Sequence, residues 1–350
     1  MARARARLQG AVRAHLSAGG FDEVETPCLV PAPGMEPHIH AFETSFVPEG
    51  GTPEAGTPGA GGGRAACPLW LHSSPEYAMK RLLADGFERI FQFARVFRNG
   101  EVSSTHNPEF TMLELYRAGT DHRGVMEDLE RAVEAGARAL HPAGGTQFRW
   151  GGHGVDFAAP FDRVPVAAAF SRAGVELESC GGDARRLRAA AIARGLDLGP
   201  EGERFEDVFF RVFLQVIEPA LGHSRPVYLT DWPASMAALS RIRKDDPRWA
   251  DRFELYAAGL ELANGFFELN DAVEQRRRLL EEQAVRRRLS RPDYPLDEPF
   301  LAAVARLPDA GGVALGLDRL LMLLTGADRI RDVLLFPAED FLKAPGAPGT

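Results

Sequence analysis

The sequence predicts one α+β domain in which an antiparallel sheet carries helices on one face and a ligand site on the other. Two hairpin patterns and one strand–helix pattern predict it. Alternating residues over 91–117 and over 252–262 are typical of antiparallel hairpins, and a glycine-rich strand at 311–316 leads into a leucine-rich helix. The 350 residues, 45% of them hydrophobic, are enough for one large core or two smaller ones.

Composition narrows the classes of function. A net charge of −8 and a pI near 5.7 argue against broad nucleic-acid binding, which needs a basic face. Cys28, Cys67 and Cys180 are far apart and have no zinc-binding spacing, which indicates a reducing, cytoplasmic setting. No apolar run is long enough to span a bilayer, so no membrane partner is expected.

The first twenty residues are arginine-rich and lack acids, as a transit peptide would be. We favour a helix that ends at Gly19-Gly20, because Leu8, Val12 and Leu16 follow one another at four-residue spacing. A short strand should follow from Phe21 to Pro27, where the proline, which has no N–H, ends the ladder.

A second group of short elements should follow. Residues Ala41–Val47 alternate as a strand, and Pro48–Pro68 is a glycine- and proline-rich stretch predicted to be a flexible loop. Leu69–His72 is again a strand. A helix over Tyr77–Ala84 should then begin with serine as its cap and with Pro75 and Glu76 in its first turn.

The first hairpin places functional residue types on one face. Gln92, Ala94, Val96 and Arg98 share a face of its first strand, and Phe110, Met112, Glu114 and Tyr116 share a face of its second. From periodicity alone, a plain amphipathic hairpin with Arg98 and Glu114 in solvent is sufficient. The string Phe97-Arg98-Asn99, followed by His106-Asn107-Pro108-Glu109-Phe110, is too unusual for that simple interpretation.

The second half contains fewer chemical signals. Residues 121–225 should be mostly helical, with the best helices at 127–140 and 205–221, and 227–230 should be a strand. In the second hairpin, a turn at Ala257-Ala258 would set Glu254 opposite Glu261. Such a pair either holds a cation or forms a solvated acidic hairpin. Residues 272–289 form a charged helix whose arginines are most simply a solvated face, with an acidic partner as the less favoured alternative.

The last pattern joins a glycine-rich strand to a helix at 311–319. Gly316 would let a ligand approach the backbone closely, and Arg319 would lie in the first helical turn. By itself, this pattern also fits a buried strand–helix corner with a surface arginine.

Together these segments resemble the class II aminoacyl-tRNA synthetases of the lysine/asparagine/aspartate branch. Residues 97–110 resemble motif 2, residues 21–27 resemble motif 1, and residues 311–319 resemble motif 3, while residues 121–225 resemble the variable insertion. The motif 1 segment begins near residue 21, which leaves no room for an anticodon-binding domain and predicts a single catalytic domain over residues 1–350. In this the chain resembles the truncated lysyl-synthetase paralogs, the elongation factor P–(R)-β-lysine ligases.

The resemblance implies ATP-dependent activation of (R)-β-lysine, or lysine, as an adenylate, followed by transfer to a lysine side chain of elongation factor P. Arg98 would bind the α-phosphate and the substrate carboxylate, and Arg319 would clamp the γ-phosphate and cover the adenine, with Phe110 on its other face. Glu254 and Glu261 would hold Mg²⁺. The remaining residues implied for ATP are Asn99, Gly100, His106, Asn107, Glu109, Leu262 and Gly316.

The resemblance also implies a pocket for a cationic amino acid. Ser74, Pro75 and Glu76 would border it, with Glu76 on the substrate ammonium. The side-chain ammonium would meet Glu114, Tyr116, Asn264 and Glu268. Strict alternation puts Glu261 and Glu268 on opposite faces of a strand, so a bulge at Gly265 is expected to bring Glu268 back toward the site.

The chain departs from the family pattern at two positions. Motif 2 usually has Arg-Asn-Glu, whereas this chain has Arg98-Asn99-Gly100-Glu101, so Glu101 is expected to substitute or the adenine-side contact is lost. Ala314 stands where lysyl synthetases tend to have glycine, which would narrow the pocket floor. A homodimer through motif 1 and no stable tRNA binding are expected. The alternatives are a stand-alone synthetase core that charges tRNA or another amine, and a non-catalytic, amino-acid-sensing paralog.

Overall fold

The computed structural model describes residues 1–49, 66–198 and 204–342. Most of the loop predicted over 48–68 therefore lies outside the described residues. The helices are α1 (Ala2–Ala18), α2 (Glu76–Ala84), α3 (His122–Leu140), α4 (Val166–Arg172), α5 (Leu177–Cys180), α6 (Ala184–Ile192), α7 (Phe205–Val212), α8 (Ala272–Arg288), α9 (Glu298–Val304) and α10 (Leu317–Thr325). The strands are β1 (Asp22–Glu23), β2 (Leu29–Val30), β3 (Phe42–Phe46), β4 (Cys67–Leu71), β5 (Arg89–Phe97), β6 (Glu109–Ala118), β7 (Gln147–Trp150), β8 (His153–Asp156), β9 (Asp162–Pro165), β10 (Val227–Pro233), β11 (Trp249–Ala257), β12 (Leu260–Phe267) and β13 (Ala310–Gly316).

A large sheet runs through the described part of the chain in the strand order β1-β5-β6-β13-β12-β11-β10-β9. The six central strands are antiparallel to their neighbours, which confirms the predicted α+β class with an antiparallel sheet. The two edge strands differ, because β1 and β9 each run parallel to the neighbouring strand. None of the helices in the described ranges is both long and apolar enough to cross a membrane.

Helices α1, α3 and α10 cover one face of this sheet. Leu8, Val12 and Leu16 of α1 are fully buried in the same core as the leucines of α10, so the N-terminal segment is a packed helix as predicted. The helix-facing side chains of β5 and β6, such as Phe91 and Leu113, belong to this core as well. The opposite face of the sheet is therefore free to form a site.

The first hairpin has the predicted faces. Val96 pairs with Phe110 and Gln92 pairs with Glu114, so the two residue sets that share a face in the sequence do so in the fold. This hairpin is correctly predicted because alternating side chains with one buried face specify strand register.

Several predicted boundaries are wrong. The strand expected over residues 21–27 is only the two-residue β1, and the insertion contains strands β7, β8 and β9 besides its helices. The helix expected at 205–221 stops being regular after α7, where a π-helical turn at Phe213–Ile217 and a 3₁₀ turn at Glu218–Ala220 follow. Pro219 explains the break, since it cannot donate a helical hydrogen bond.

The second hairpin turns one residue later than predicted. Its turn residues are Ala258 and Gly259, both with positive φ (51° and 75°), and Glu254 lies opposite Asn264 and not opposite Glu261. Positive φ at both turn positions matches the twist of the flanking strands, and glycine adopts it without strain. The hairpin prediction is thus confirmed, but the predicted pairing of the two glutamates is wrong.

The expected bulge lies in β12 at a different residue. The register shifts at Leu262, where Leu255 pairs with Ala263 and Tyr256 pairs with Glu261, whereas pairing around Gly265 is regular. This earlier bulge brings Glu261 to the face that carries Asn264 and Glu268. Gly265 instead serves packing, because a Cβ there would overlap the Phe253 ring.

The arginine-rich helix α8 is not simply solvated. Arg286 is fully buried, donates hydrogen bonds to the carbonyls of Glu36, Ile39 and Pro292, and lies 3.9 Å over the Tyr294 ring. The prediction that the arginines of this helix are solvated is therefore wrong for Arg286. The buried guanidinium satisfies backbone carbonyls of the segment that leads into β3 and so fixes one wall of the site.

A candidate active site on the open face of the sheet

A cleft of about 1100 Å³ opens on the sheet face opposite α1, α3 and α10. Strands β6, β12 and β13 form its floor, and the segment before β3, the β5–β6 loop, α7 and α8 form its walls. The predicted site residues that line it are Ser74, Glu76, Arg98, His106, Asn107, Phe110, Tyr116, Glu254, Glu261, Leu262, Asn264, Gly316 and Arg319.

Arg98 extends from the end of β5 into this cleft. Its guanidinium lies 5.2 Å over the Phe110 ring, and its Nη1 is 3.9 Å from Glu101 Oε2. Its Nε is buried and has no hydrogen-bond partner among the described residues. A buried donor without a partner costs free energy, and this nitrogen is free to donate to an acceptor in the cleft. Glu101, one residue after Gly100, lies beside Arg98 in the cleft.

Arg319 is held rigidly at the other side of the cleft. Its Nη1 donates to the Glu261 carbonyl at 2.8 Å, its Nε donates to the Thr105 carbonyl at 3.3 Å, and its Nη2 lies 2.6 Å from His106 Nε2. Burial, with Arg319 and Arg98 nearby, lowers the pKa of His106 to about 4. His106 is therefore neutral at physiological pH and accepts a hydrogen bond from Arg319, which orients the guanidinium.

Glu254 and Glu261 line the cleft as a pair of like charges. Glu254 accepts hydrogen bonds from Arg252 Nη2 at 2.5 Å and from the Tyr256 hydroxyl. Burial first, and then Glu261, raise the pKa of Glu254, while Arg252 opposes the rise. In the described ranges, no set of three or more His, Cys, Asp or Glu side chains is grouped to hold a metal ion. The two hard carboxylates nevertheless suit Mg²⁺, since a cation between them would relieve their repulsion.

A second polar region lies beneath the cleft floor. Glu114 is fully buried and accepts hydrogen bonds from Ser74 Oγ at 2.5 Å and from the Tyr116 hydroxyl at 2.9 Å. Burial and the nearby Glu76 raise the pKa of Glu114 to about 8. Ser74 Oγ also accepts from the Glu76 amide at 3.0 Å, so it both orders the start of α2 and orients Glu114.

Glu268 lies beneath the same floor at the end of β12, with no exposed surface. Its Oε2 is 2.6 Å from Lys80 Nζ, and its Oε1 has no hydrogen-bond partner in the part of the chain that the structure describes. Gly312 of β13 makes this position possible, because a Cβ there would overlap Glu268 Oε1 and the Tyr116 ring. A buried carboxylate oxygen without a partner is free to accept a hydrogen bond from a buried cation.

Gly316 has no conformational need to be glycine. Its φ is −71°, and a Cβ there would make only ordinary contacts, the nearest to the Leu262 carbonyl at 3.7 Å. The missing side chain leaves room in the cleft, which supports the predicted close approach of a ligand.

Six predicted residues do not line this cleft: Glu114 and Glu268 are buried beneath its floor, and four others lie elsewhere. Asn99 and Gly100 are exposed at the β5–β6 turn, where Gly100 has φ 87°. Glu109 is exposed on the helix-side face, 3.8 Å from Arg95, because alternation turns it away from Phe110. Pro75 borders α2, where it is the N-cap residue of the helix.

Asn107 lines the cleft but also has a structural task. Its side chain donates to the Glu109 carbonyl at 2.6 Å and accepts from the Ala338 amide at 2.9 Å. It thereby ties the β5–β6 loop to the C-terminal segment.

The sequence interpretation missed several residues of the site. Lys80 bonds two predicted substrate residues from the next turn of α2, and its four-residue spacing from Glu76 was the available signal. Arg204 and Phe210 reach the cleft from the α7 region, and no pattern in the sequence indicated this.

Comparisons with known proteins agree with this geometry. A family model described as tRNA synthetases class II (D, K and N) matches residues 1–340. A protein of Sodalis glossinidius named elongation factor P–(R)-β-lysine ligase is 38% identical over 337 residues, which cover 96% of this chain and 94% of that protein. Proteins of the same name from Salmonella dublin and Salmonella paratyphi B are each 37% identical over 339 residues, with the same coverage. The chain belongs to the class II tRNA synthetase family of the D, K and N type.

Proposed function

We propose that this chain activates (R)-β-lysine with ATP as an adenylate and transfers it to a lysine side chain of elongation factor P. The main support comes from two buried atoms that have no hydrogen-bond partner among the described residues: Arg98 Nε, a donor in the cleft, and Glu268 Oε1, an acceptor beneath its floor. An amino acid with a carboxylate at one end and an ammonium at the other would satisfy both. The curated relatives named above carry the same activity in their names.

In the first step, the substrate carboxylate attacks the α-phosphorus of ATP and pyrophosphate leaves. Negative charge accumulates on the phosphate oxygens, so cations fixed in advance stabilise the transition state. Arg98 would bind the α-phosphate and the carboxylate through its planar fork. Arg319, already oriented by Thr105, Glu261 and His106, would bind the γ-phosphate without further ordering.

Glu254 and Glu261 would hold Mg²⁺, which would neutralise phosphate charge when bound. Phe110 would stack on the adenine, with Arg319 on the opposite face. In the second step, the acceptor amine attacks the adenylate carbonyl, a C–N bond forms, and AMP leaves with the C–O bonding pair.

Pyrophosphate exchange with purified protein, ATP and Mg²⁺ tests the activation step. We expect exchange to be fastest with (R)-β-lysine, the substrate in the names of the relatives, whose ammonium groups the buried carboxylates would bind. Transfer is then checked by the mass of elongation factor P. Exchange with α-lysine alone would indicate a lysine-activating relative with another acceptor. No exchange with any amino acid would favour the amino-acid-sensing alternative.

We also propose a single catalytic domain that works as a cytoplasmic homodimer and does not bind tRNA stably. The net charge of −8 disfavours tRNA, and Cys28, Cys67 and Cys180, all in described segments, are free thiols. The dimer is supported by the likeness of residues 21–27 to motif 1.

Filter binding should detect no tight tRNA complex at moderate salt, and sedimentation equilibrium should give twice the chain mass. A tight tRNA complex or a monomer would contradict the respective proposal.

A further inference from the structure

We propose that Lys80 is a positioning residue, a permanent counter-ion beneath the amino-acid pocket that holds Glu76 and Glu268 at the spacing a diamino acid requires. This inference rests on the proposed function for the identity of the substrate. It assigns a task to a residue that touches neither ATP nor the reacting atoms.

The position of Lys80 is defined by two short ion pairs. Its Nζ lies 2.5 Å from Glu76 Oε1 and 2.6 Å from Glu268 Oε2, and only 1% of its side chain is exposed. Glu76 is one turn earlier on α2, whereas Glu268 follows β12, so the ammonium ties the helix to the sheet. One nitrogen thereby fixes two carboxylates that would otherwise repel each other.

Lys80 engages only one oxygen of Glu268. The other oxygen, Oε1, remains buried and unpartnered among the described residues, next to Gly312 on the cleft floor. A side chain whose only purpose was to neutralise Glu268 would leave no acceptor behind. The arrangement instead orients one free acceptor toward the position of a second cation.

The charges in this region fit a substrate with two ammonium groups. Glu76, Glu114 and Glu268 provide three carboxylates, and Lys80 neutralises one of them. Burial raises the pKa of Glu114 and Glu268, so these carboxyls ionise when cations arrive, and a diamino acid supplies two ammonium groups while its carboxylate is left for Arg98. A buried cluster with fewer cations would take up protons instead.

Neighbouring groups on the adjoining elements determine how this cluster titrates. Glu36, before β3, and Glu282, on α8, are buried carboxyls that interact with Glu76, and burial raises the pKa of both. Burial alone would lower the pKa of Lys80, but Glu268 and Glu76 together raise it above the ordinary lysine value. Burial raises the pKa of Glu268, and Lys80 opposes that rise. From β6, Glu114 and Tyr116 face the same pocket, and Arg241 donates to the Glu268 carbonyl at 2.7 Å. Lys80 is the cation that contacts two of the carboxylates directly.

The residue type supports a specific geometric task. Only three of the 41 lysine and arginine residues in this chain are lysines, at positions 80, 244 and 343. Arginine is thus the usual cation of this sequence, but its planar guanidinium is larger than an ammonium. A compact ammonium can reach two carboxylates from one point. The lysine at position 80 therefore matches the space between Glu76 and Glu268.

The test compares Lys80→Met and Lys80→Arg with Lys244→Met, a control that removes an exposed lysine. In pyrophosphate exchange, Lys80→Met should raise the KM for (R)-β-lysine about 100-fold, as expected for a broken buried ion pair, with the KM for ATP unchanged. The acidic limb of kcat/KM for the amino acid should move to higher pH, because the carboxylates lose their counter-ion. Lys244→Met should behave as wild type.

Lys80→Arg keeps the charge and changes the geometry. We expect it to retain the wild-type acidic limb but to bind the amino acid about 10-fold more weakly. The proposal would be overturned if Lys80→Met raised the KM for ATP as much as the KM for the amino acid. It would also be overturned if the acidic limb of the kcat/KM profile stayed at the wild-type pH. If Lys80→Met does not fold, wild-type affinity in Lys80→Arg would overturn it as well, because spacing would then be irrelevant.

A measurement without substrate separates this inference from the proposed function. A carboxyl whose folded pKa is raised takes up protons on folding, so its contribution to stability is lost as pH rises through that pKa. The Tm difference between wild type and Lys80→Met should therefore grow from pH 6 to pH 9. A constant difference would contradict the counter-ion role. Absence of exchange in the wild type would instead contradict the proposed function, whatever the Tm values show.

Discussion

Arg98→Ala should reduce pyrophosphate exchange at least about 1000-fold while the fold remains intact. The arginine would bind both the substrate carboxylate and the α-phosphate, so its loss removes the cation at the point where negative charge develops. Within the described residues the side chain has few other contacts: its Nε has no partner, Glu101 is 3.9 Å away, and its guanidinium lies 5.2 Å over the Phe110 ring. Exchange assays together with circular dichroism check both parts of the expectation.

Arg95→Ala is the matched control for this variant. Arg95 lies three residues earlier on β5, on the opposite face, with 55% of its side chain exposed and Glu109 at 3.8 Å. An exposed ion pair of this kind contributes little to the free energy of unfolding, so the exchange rate and the stability of Arg95→Ala should stay close to wild type. Unfolding of Arg98→Ala, or an equal loss of exchange in both variants, would instead indicate that arginines of β5 act structurally.

Arg98→Lys distinguishes charge from geometry. It restores the positive charge but cannot form two parallel hydrogen bonds to a carboxylate or phosphate. We expect it to remain far closer to Arg98→Ala than to wild type. Wild-type exchange in this variant would show that a point charge at the end of β5 is enough.

The two hairpins show which parts of such a fold a sequence can predict. The register of β5 and β6 follows from alternation alone, because Val96 and Phe110 lie in an uninterrupted pattern with a buried face. In β11 and β12 the turn at Ala258-Gly259 and the bulge at Leu262 shift the register, and neither interrupts the apolar pattern. Reasoning from periodicity therefore recognised the hairpin and assigned the wrong partner to Glu254.

The sequence predicted site residues where a motif and the strand alternation agreed. It missed residues whose contacts come from segments that are distant in the chain. Arg98, Phe110 and Arg319 line the cleft as expected. In the sequence, Lys80 and Arg286 resemble ordinary surface cations. A helical pattern shows which residues share a helix face but does not show what packs against that face. Lys80 is buried against Glu268, which arrives from the far end of β12, and Arg286 is buried by carbonyls of the segment before β3.

Glu268→Gln should weaken binding of the cationic amino acid by about 100-fold and leave the KM for ATP within two-fold of wild type. The amide has nearly the same shape as the carboxylate, so the space beside Gly312 stays filled. Its oxygen can still accept a hydrogen bond, but the negative charge that compensates a buried ammonium is gone. Glu43→Gln, on exposed β3, is the control for the same chemical change away from the cleft.

The pH profile of Glu268→Gln separates electrostatics from shape. Burial raises the pKa of Glu268 and brings that of Glu114 to about 8, so in wild type kcat/KM for the amino acid should rise with pH through this range. The sign follows from the chemistry, because only the ionised carboxylates bind an ammonium, which itself persists to about pH 10. Glu268→Gln removes one of the carboxyls whose pKa is raised, so this rise should be shallower. An unchanged profile, or parallel losses for ATP and amino acid, would mean that Glu268 maintains the pocket without binding the substrate, and that Lys80 neutralises a purely structural charge.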